Sequence, residues 1–358
     1  MKFLNIAFHP GFIVYRNGPG PVWVCPHSGP AIEIPTARDQ WSETIASLCW
    51  LKLGGTLIVS GIPRKQMYGM DFNREIPPKD SALTLWPEFV KDENKERLEK
   101  YRKVYSWTAI DDPDYKNRLK IYSDFWNTVR RSGDVIIFLH TQFTRIKNFP
   151  SVMDVITYQG RGVKREIANA IINKANKIHK DFFKNIEKSY KDEIYHEHYR
   201  IIERVKNVFS EFNLDSVKVE YKKNILDDMK IIKRYAKKSI YKRLETEFNE
   251  KNFMLAVKSA LNQKVSPRIT LESIFKGQKA LNMKKPLFEK GKLVMEVETT
   301  RFLGYWYPRK ASEIIMDILN DLISVDIYRK MGAKQTQIIK FIKGVKTGED
   351  GYSTFFKR

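Results

Sequence analysis

The fold of this protein is decided by residues 21–63, which read PVWVCPHSGPAIEIPTARDQWSETIASLCWLKLGGTLIVSGIP. The apolar run PVWVC ends at a turn, which predicts a short buried strand. Apolar residues then recur at helical spacing, and two glycines close the predicted helix: Trp41, Ile45, Leu48 and Cys49, then Gly54 and Gly55. The run TLIVS predicts a second buried strand, which Gly-Ile-Pro ends. Together they form a strand–helix–strand unit, which is typical of an α/β sheet.

The rest of the chain extends this pattern in two parts. Further elements are predicted as strands at residues 134–142 (DVIIFLHTQ) and 291–300 (GKLVMEVETT), and as helices at 114–131 and 312–331. From residue 164 the sequence becomes charged and helix-periodic. We therefore predict an α/β fold, a mixed sheet flanked by helices, with a large helical insertion. The predicted core comprises residues 1–163 and 286–358, and the predicted insertion comprises residues 164–285.

Composition and charge limit the classes of protein to consider. The 358 residues are 42% hydrophobic, enough for a sizeable core, and their formal net charge of +22 favours anionic ligands. No apolar run is long enough to span a membrane and no signal-peptide pattern is present, so we expect a soluble, cytoplasmic protein without a membrane partner. Cys25 and Cys49 lie in core-forming segments and indicate buried free thiols. The sequence leaves the oligomeric state open.

Histidines stand where two of the predicted strands end. His27 lies in the turn after VWVC, and His140 follows the run DVIIFL. Two histidines and one carboxylate, with an open fourth position, are the usual ligand set of a catalytic zinc site. The carboxylate should come from the helix after His27, where Asp39 and Glu43 are the candidates. These two residues are four apart and would share one helix face.

Five sequence blocks, by their order and spacing, resemble those of N-formylglutamate amidohydrolases, which are relatives of the zinc carboxypeptidases. The blocks read PHSG, RDQWSETIASL, GGTLIVSGIPRKQMYGMDFNRE, DVIIFLHTQ and EVETTRFL. The resemblance covers residues 20–75, 130–175 and 290–306, and has little counterpart in the charged helical region. It implies a zinc-dependent amidohydrolase with a phosphorylase/hydrolase-like fold.

The resemblance also implies roles for individual residues. By position, His27 and His140 would be zinc ligands, with Glu43 as the third ligand and Asp39 as the alternative. Glu298 would be the general base, because Arg301 and Leu303 fall in register with the E-x-x-R-x-L pattern, and Glu296 on the same strand face is the fallback. Arg64 would polarise the scissile carbonyl or bind a substrate carboxylate. The remaining substrate-binding residues would be Asn73, Arg74 and Arg301.

The sequence thus predicts a Zn²⁺-dependent enzyme that cleaves an amide bond in a small anionic substrate. Zinc lowers the pKa of bound water to about 7, and a glutamate then accepts the proton from that water. One alternative is a nucleic-acid-associated protein that uses the basic helices, where Lys233, Arg234 and Lys237 lie opposite an apolar stripe. Another is a metal-free relative whose pocket binds a small anion.

Overall fold

Eight strands form one mixed sheet in the residues that the computed structural model describes, which are 4–30, 38–64, 69–91, 95–216, 222–277 and 280–344. The strands are β1 (Asn5–His9), β2 (Phe12–Asn17), β3 (Val22–Cys25), β4 (Gly55–Ser60), β5 (Val135–Gln142), β6 (Ser151–Ile156), β7 (Arg268–Leu271) and β8 (Leu293–Thr300). Their order is β1-β2-β4-β3-β5-β8-β6-β7. Strands β4, β3, β5 and β8 are parallel neighbours, whereas β2 runs antiparallel to β4 and β6 runs antiparallel to β8.

The helices fall between and after these strands. They are α1 (Ser42–Leu53), α2 (Lys79–Val90), α3 (Lys95–Val104), α4 (Asp112–Arg131), α5 (Arg165–Ile178), α6 (Lys180–Asn185), α7 (Glu187–Phe209), α8 (Leu214–Ser216), α9 (Lys222–Tyr235), α10 (Lys238–Thr246), α11 (Glu250–Leu261), α12 (Leu281–Glu289), α13 (Arg301–Trp306), α14 (Pro308–Lys330) and α15 (Gln335–Ile342). None of the helices within the described residues is both long and apolar enough to cross a membrane.

Buried side chains cover both faces of the sheet. Successive residues of a strand point to opposite faces, so Ile137 belongs to one hydrophobic cluster and Phe138 to the other. The Ile137 cluster includes residues of α1, α5 and α14, such as Ile45 and Ile315. The Phe138 cluster includes residues of α4, such as Phe125. The predicted α/β fold, with a mixed sheet flanked by helices, is therefore confirmed.

The strand–helix–strand unit that opened the sequence analysis is also confirmed. Strand β3, helix α1 and strand β4 follow one another, and β3 pairs with β4 in parallel from Val22↔Thr56 to Cys25↔Val59. The helices expected at residues 114–131 and 312–331 correspond to α4 and α14, which begin two and four residues earlier than predicted. The strand predicted at residues 134–142 is β5, which continues two residues past His140, and every residue of it is buried.

Helices α5 to α11 make up most of residues 164–285, so the predicted helical character of this region is confirmed, and its being an insertion into the core stays a prediction. Strand β7 also comes from residues 164–285 and pairs with β6 at the edge of the sheet. Ile225 of α9 and Leu244 of α10 belong to the same hydrophobic cluster as Ile137 of the sheet. The insertion thus packs on the core and contributes to its sheet, and its status as a separate subdomain stays a prediction.

Candidate metal centre

The carboxyl ends of the parallel strands place four predicted site residues near one edge of the sheet. His27 follows β3, Arg64 follows β4, His140 lies in the last third of β5, and Glu298 lies in β8. Because these strands are parallel neighbours, their carboxyl ends meet at one edge. Glu298 pairs in register with His140 of β5. These residues are far apart in the sequence, and the parallel strands of the sheet bring them together.

Three buried side chains converge at this edge. One ligand atom from each of His27, Asp39 and His140 lies within 4.8 Å of the others. Oδ2 of Asp39 is 3.1 Å from Nδ1 of His27 and 2.7 Å from Nδ1 of His140. The backbone N–H of Asp39 donates to the carbonyl of His27 at 3.0 Å, which holds the two segments together. These three residues, which we call the His-Asp-His group, could hold a metal ion.

Asp39, the second choice from sequence, takes the place expected for Glu43. The carboxylate of Glu43 instead accepts hydrogen bonds from Arg38 and from Ser42. The expectation that Asp39 and Glu43 share one helix face is wrong, because α1 begins only at Ser42. Trp41 before it has a left-handed φ of 76°, so the chain turns between the two carboxylates. The i, i+4 rule applies only when both residues are helical.

A second layer of polar residues binds the outer nitrogens of the two histidines. Asp71 Oδ1 lies 2.8 Å from Nε2 of His27, and Asn73 Nδ2 lies 3.0 Å from Nε2 of His140. Such partners orient the histidine ligands of metal sites. Asn73 was predicted to bind substrate, whereas no role was predicted for Asp71. Both residues nevertheless lie in the block GGTLIVSGIPRKQMYGMDFNRE, one of the five that carry the family resemblance.

Both carboxylates of this centre stay ionised at neutral pH. Burial alone would raise the pKa of Asp39, but His27, Arg64 and His140 lower it well below its usual value. Burial likewise opposes ionisation of Asp71, yet its contact with His27 and the charges of Arg74 and Arg64 lower its pKa well below the usual range. Ionised carboxylates and neutral imidazoles are the forms that bind metal ions.

The proton position on His27 follows from its neighbours. Nη1 of Arg64 lies 2.8 Å from Nδ1 of His27 and 3.5 Å from Oδ1 of Asp39. Because a guanidinium can only donate, Nδ1 of His27 must be an acceptor, and its proton lies on Nε2, facing Asp71. The Nδ1 lone pair and the Asp39 carboxylate therefore face the same point, which suits a cation.

The ring of His140 has the opposite arrangement. Asn73 donates to its Nε2, so its proton lies on Nδ1 and is donated to Asp39. Oδ1 of Asn73 is buried and has no hydrogen-bond partner among the described residues. A half-turn of the Asn73 amide would let Oδ1 accept a proton from Nε2 and free Nδ1 of His140 for a metal ion.

The loop that contains Asp71 and Asn73 is held by one face of α4. Three side chains spaced four residues apart donate to its backbone: Arg118 to Gly69 O at 3.2 Å, Tyr122 to Arg74 O at 2.8 Å, and Trp126 to Phe72 O at 3.2 Å. Residues at this spacing lie on one side of a helix. The second layer of the centre is thus positioned by a helix of the core.

The two glutamates of β8 have different surroundings. Glu296 Oε2 forms an ion pair with the fully buried Lys284 and accepts a hydrogen bond from Tyr158 at 2.6 Å. Burial would raise the pKa of Glu296, but Lys284, with His140 and Tyr158, holds it at about 2. Neither Lys284 nor Tyr158 was identified from sequence, and no motif pointed to them. Glu296 therefore already has a structural partner.

Glu298 has no hydrogen-bonded or ion-paired side-chain partner in the described part of the chain. It lies between His140 of β5 and Asp154 of β6 in the register of the sheet, and it is partly exposed. Burial raises the pKa of Glu298 to about 8 despite the nearby His140, and the charges of Glu296 and Asp39 add to the rise. Of the two glutamates, Glu298 is the one available to a substrate.

The remaining predicted site residues lie around this centre. Nη1 of Arg74 donates to Asn73 O at 3.1 Å, and its Nε is 3.8 Å from Asp71 Oδ2. The guanidinium carbon of Arg301 is 3.8 Å from the centre of the Phe143 ring. Their substrate-binding roles stay predictions.

The basic helical face considered for nucleic acid lies on α9 and α10. Lys233 is 3.9 Å from Glu245 and 5.5 Å from the centre of the Tyr241 ring. Lys230 on the same helix pairs with Asp227 at 2.9 Å. Part of this positive charge is therefore compensated by neighbouring carboxylates, and nucleic-acid binding stays a prediction.

Comparisons with known proteins are sparse. No family model matches the sequence, and no curated protein matches it. Among solved structures, the chain is similar to the crystal structure of gene product Atu2144 from Agrobacterium tumefaciens, with a TM-score of 0.40 and 11% sequence identity. That likeness covers 88% of this chain and 95% of the other. It is too weak to support any statement about function.

Proposed function

We propose that this protein is a zinc-dependent amidohydrolase that cleaves an amide bond in a substrate bearing a carboxylate. The observation that carries the proposal is the buried His-Asp-His group with Glu298 beside it. Two imidazoles and one carboxylate are the ligand set of many catalytic zinc sites, which keep a fourth position open. The resemblance of the sequence blocks to N-formylglutamate amidohydrolases supports the same reaction class.

The ligand set fits a zinc ion on the chemistry of its donors. Asp71 fixes the His27 tautomer that leaves Nδ1 free, and Asn73 could fix the matching tautomer of His140. When bound, zinc would polarise a carbonyl and lower the pKa of a water molecule. Arg64 and a metal ion cannot share the single lone pair of His27 Nδ1. Arg64 would therefore turn away and become available to the substrate carboxylate or carbonyl oxygen.

Glu298 would act as general base. In the metal-free centre its pKa of about 8 keeps the carboxyl largely protonated at neutral pH, and the positive charge of a bound zinc ion would lower that pKa and leave the carboxylate ionised. It would accept a proton from the attacking water and pass it to the nitrogen that leaves. Glu296 is less suited to this role because its carboxylate is bound by Lys284 and Tyr158. Arg74 and Arg301 supply positive charge around the centre, which suits an anionic substrate.

The first test is the metal content of purified protein, measured by mass spectrometry. We expect about one zinc per chain in the wild type and its loss in His27→Ala/His140→Ala and in Asp39→Ala. Glu43→Gln is the matched control and should keep the metal, because Glu43 lies outside the His-Asp-His group. A wild type that binds no metal even after incubation with zinc would contradict the proposal.

The second test separates metal binding from catalysis. On a panel of N-acyl amino acids, Glu298→Gln should keep its zinc and lose hydrolysis by about 10²- to 10⁴-fold, the usual contribution of a general base. If no member of the panel is hydrolysed by the zinc-loaded wild type, the amidohydrolase activity is not supported. If Glu298→Gln hydrolyses as fast as the wild type, another group is the base.

A further inference from the structure

An aromatic cluster lies beside the His-Asp-His group. Trp41 and Tyr305 meet edge to face with ring centres 5.3 Å apart, and Tyr305 and Trp306 meet in the same way at 4.6 Å. Tyr305 is 54% exposed and Trp306 is 58% exposed. Large aromatic side chains that remain this exposed next to one another often mark a binding surface. We call these three residues the aromatic platform.

The platform is joined to the centre through two short chain segments. Trp41 is two residues after Asp39, the carboxylate of the His-Asp-His group. Tyr305 is four residues after Arg301 on α13, so the two side chains share one helix face. Gly304 of the same helix lies directly against the Trp41 side chain, which places α13 near the centre. A substrate held at the centre can therefore extend over the platform.

The backbone around Trp41 is held in an unfavourable conformation. Its φ of 76° lies in the left-handed region, which large non-glycine residues rarely adopt. Opposite Trp41, a Cβ on Gly304 would lie 2.9 Å from the Trp41 Cβ, so only glycine allows α13 to approach this closely. Strained backbone that persists in a folded protein is concentrated at functional sites. The fold thus keeps Trp41 in close contact with α13, while the rings of Tyr305 and Trp306 stay exposed.

We propose that the aromatic platform binds a ring-bearing group of the substrate, an aromatic or sugar ring with a flat apolar face. This inference rests on the proposed function, and it narrows the substrate class. The natural substrate is an amide of a carboxylate-bearing compound whose other half carries a ring, and so is larger than an N-formyl amino acid. Exposed Trp and Tyr rings provide the large flat surfaces on which such rings stack.

The test is a calorimetric titration of zinc-loaded protein with three N-acylglycines, which keep the free carboxylate and differ only in the acyl group. The probes are N-acetylglycine, N-benzoylglycine and N-glucuronoylglycine, the last being the amide of a sugar acid. The titrations use a Glu298→Gln background so that no probe is consumed. We expect at least one ring-bearing probe to bind about tenfold more tightly than N-acetylglycine. The comparison between benzoyl and glucuronoyl probes tells an aromatic ring from a sugar.

Two variants in that background locate the effect. Tyr305→Ala/Trp306→Ala should lose the preference for ring-bearing probes, and Trp41 is left unchanged because it adjoins Asp39. Phe8→Ala is the matched control, because Phe8 is 78% exposed on edge strand β1, three strands from β3. The control should keep the preference. Equal binding of all probes, no binding of any probe, or an unchanged preference in the double variant would overturn the proposal.

Hydrolysis assays with the wild type keep the two proposals distinguishable. A ring preference that depends on Tyr305 and Trp306, in a protein whose zinc-loaded wild type hydrolyses none of the probes, would support the platform and reject the hydrolase. Hydrolysis of the probes with no ring preference would support the hydrolase and reject the platform.

Discussion

At the scale of single residues, the candidate centre has balanced charge. Two buried carboxylates, Asp39 and Asp71, face two guanidinium groups, Arg64 and Arg74, at 3.5 and 3.8 Å. Burying unpaired charges is costly, so this balance stabilises the ionised carboxylates. A metal ion would add positive charge at Asp39 and compete with Arg64 for His27. Metal affinity should therefore depend on the residues that set the histidine tautomers.

The first residue-scale prediction concerns Asn73. Asn73→Ala should weaken zinc binding by about 10- to 100-fold, because it removes the partner of His140 Nε2. Asn73→Asp is the matched variant and should bind zinc at least as tightly as the wild type. Either oxygen of the carboxylate can accept a hydrogen bond from the Nε2–H of His140, whereas the Asn73 amide must first make a half-turn. Competition with a chelator measures both affinities. Wild-type affinity in Asn73→Ala would show that this contact does not orient His140.

The second residue-scale prediction concerns the pH dependence of stability. The pKa of Glu298 is raised from its ordinary value to about 8, so the folded state favours the protonated carboxyl. The stability that this provides is complete below the unfolded pKa and is lost as pH rises through about 8. In metal-free protein, the free energy of unfolding of the wild type should therefore fall relative to that of Glu298→Gln as the pH is raised.

Urea unfolding of metal-free protein at about pH 5, 7 and 9 measures this difference. Because Glu298 is partly exposed, we expect a relative loss of only about 1–2 kcal/mol across this range, less than the full shift implies. Glu313→Gln serves as the control, because Glu313 is an exposed carboxylate at the surface, with its pKa lowered by Lys310. The Glu313→Gln variant should lose stability at high pH as the wild type does. Parallel pH profiles for wild type and Glu298→Gln would contradict the prediction.

At the scale of elements, α4 positions the loop that contains Asp71 and Asn73. Tyr122→Phe removes the hydroxyl that donates to Arg74 O and should cost about 0.5–1.5 kcal/mol, because a part-buried carbonyl loses its partner. It should also weaken zinc binding, since the loop would hold Asp71 and Asn73 less firmly. Urea unfolding and chelator competition measure the two effects.

Tyr115→Phe is a matched control on the same helix. Its hydroxyl donates to Pro77 O at 2.8 Å, outside residues 69–74. This variant should lose some stability and keep the zinc affinity of the wild type. If both variants weaken zinc binding equally, the effect is a general loss of stability and does not come from the loop.

At the scale of the whole molecule, a buried ion pair joins the helical insertion to the segment that follows His140. Asp228 of α9 is fully buried, binds the guanidinium of Arg145 and accepts from Lys147 N at 3.1 Å. His198 of α7 lies 3.4 Å from the same carboxylate. Burial would raise the pKa of Asp228, but Arg145 and His198 hold it at about 2. The insertion is thus fixed to the strand that provides His140.

The whole-molecule prediction tests this connection. Asp228→Asn should destabilise the protein by about 3–5 kcal/mol, because it leaves the buried Arg145 charge without its partner. Asp227→Asn changes the adjacent residue, whose ion pair with Lys230 is at the surface, and should cost less than about 1 kcal/mol. Urea unfolding compares them. Equal effects would mean that the buried pair does not hold the insertion to the core.

The sequence by itself determined those features that depend on neighbouring residues. Apolar periodicity predicted β3, α1, β4, β5 and α14, because the period of a strand or helix is set within a few residues. It also placed Glu296 and Glu298 on one face of β8, and it put His27 and His140 where strands end. These local patterns were sufficient for the α/β fold and for two of the three members of the His-Asp-His group.

Only the tertiary structure decided which polar groups meet. Asp39 replaces Glu43 because the chain turns at Trp41 before α1 begins, and this turn is not visible in the apolar pattern. The Tyr158 hydroxyl that binds Glu296 comes from 138 residues away, and Asp71 reaches His27 from 44 residues away. The physical reason is that a hydrogen bond needs its two atoms within about 3 Å, and the packing of distant segments alone sets that distance.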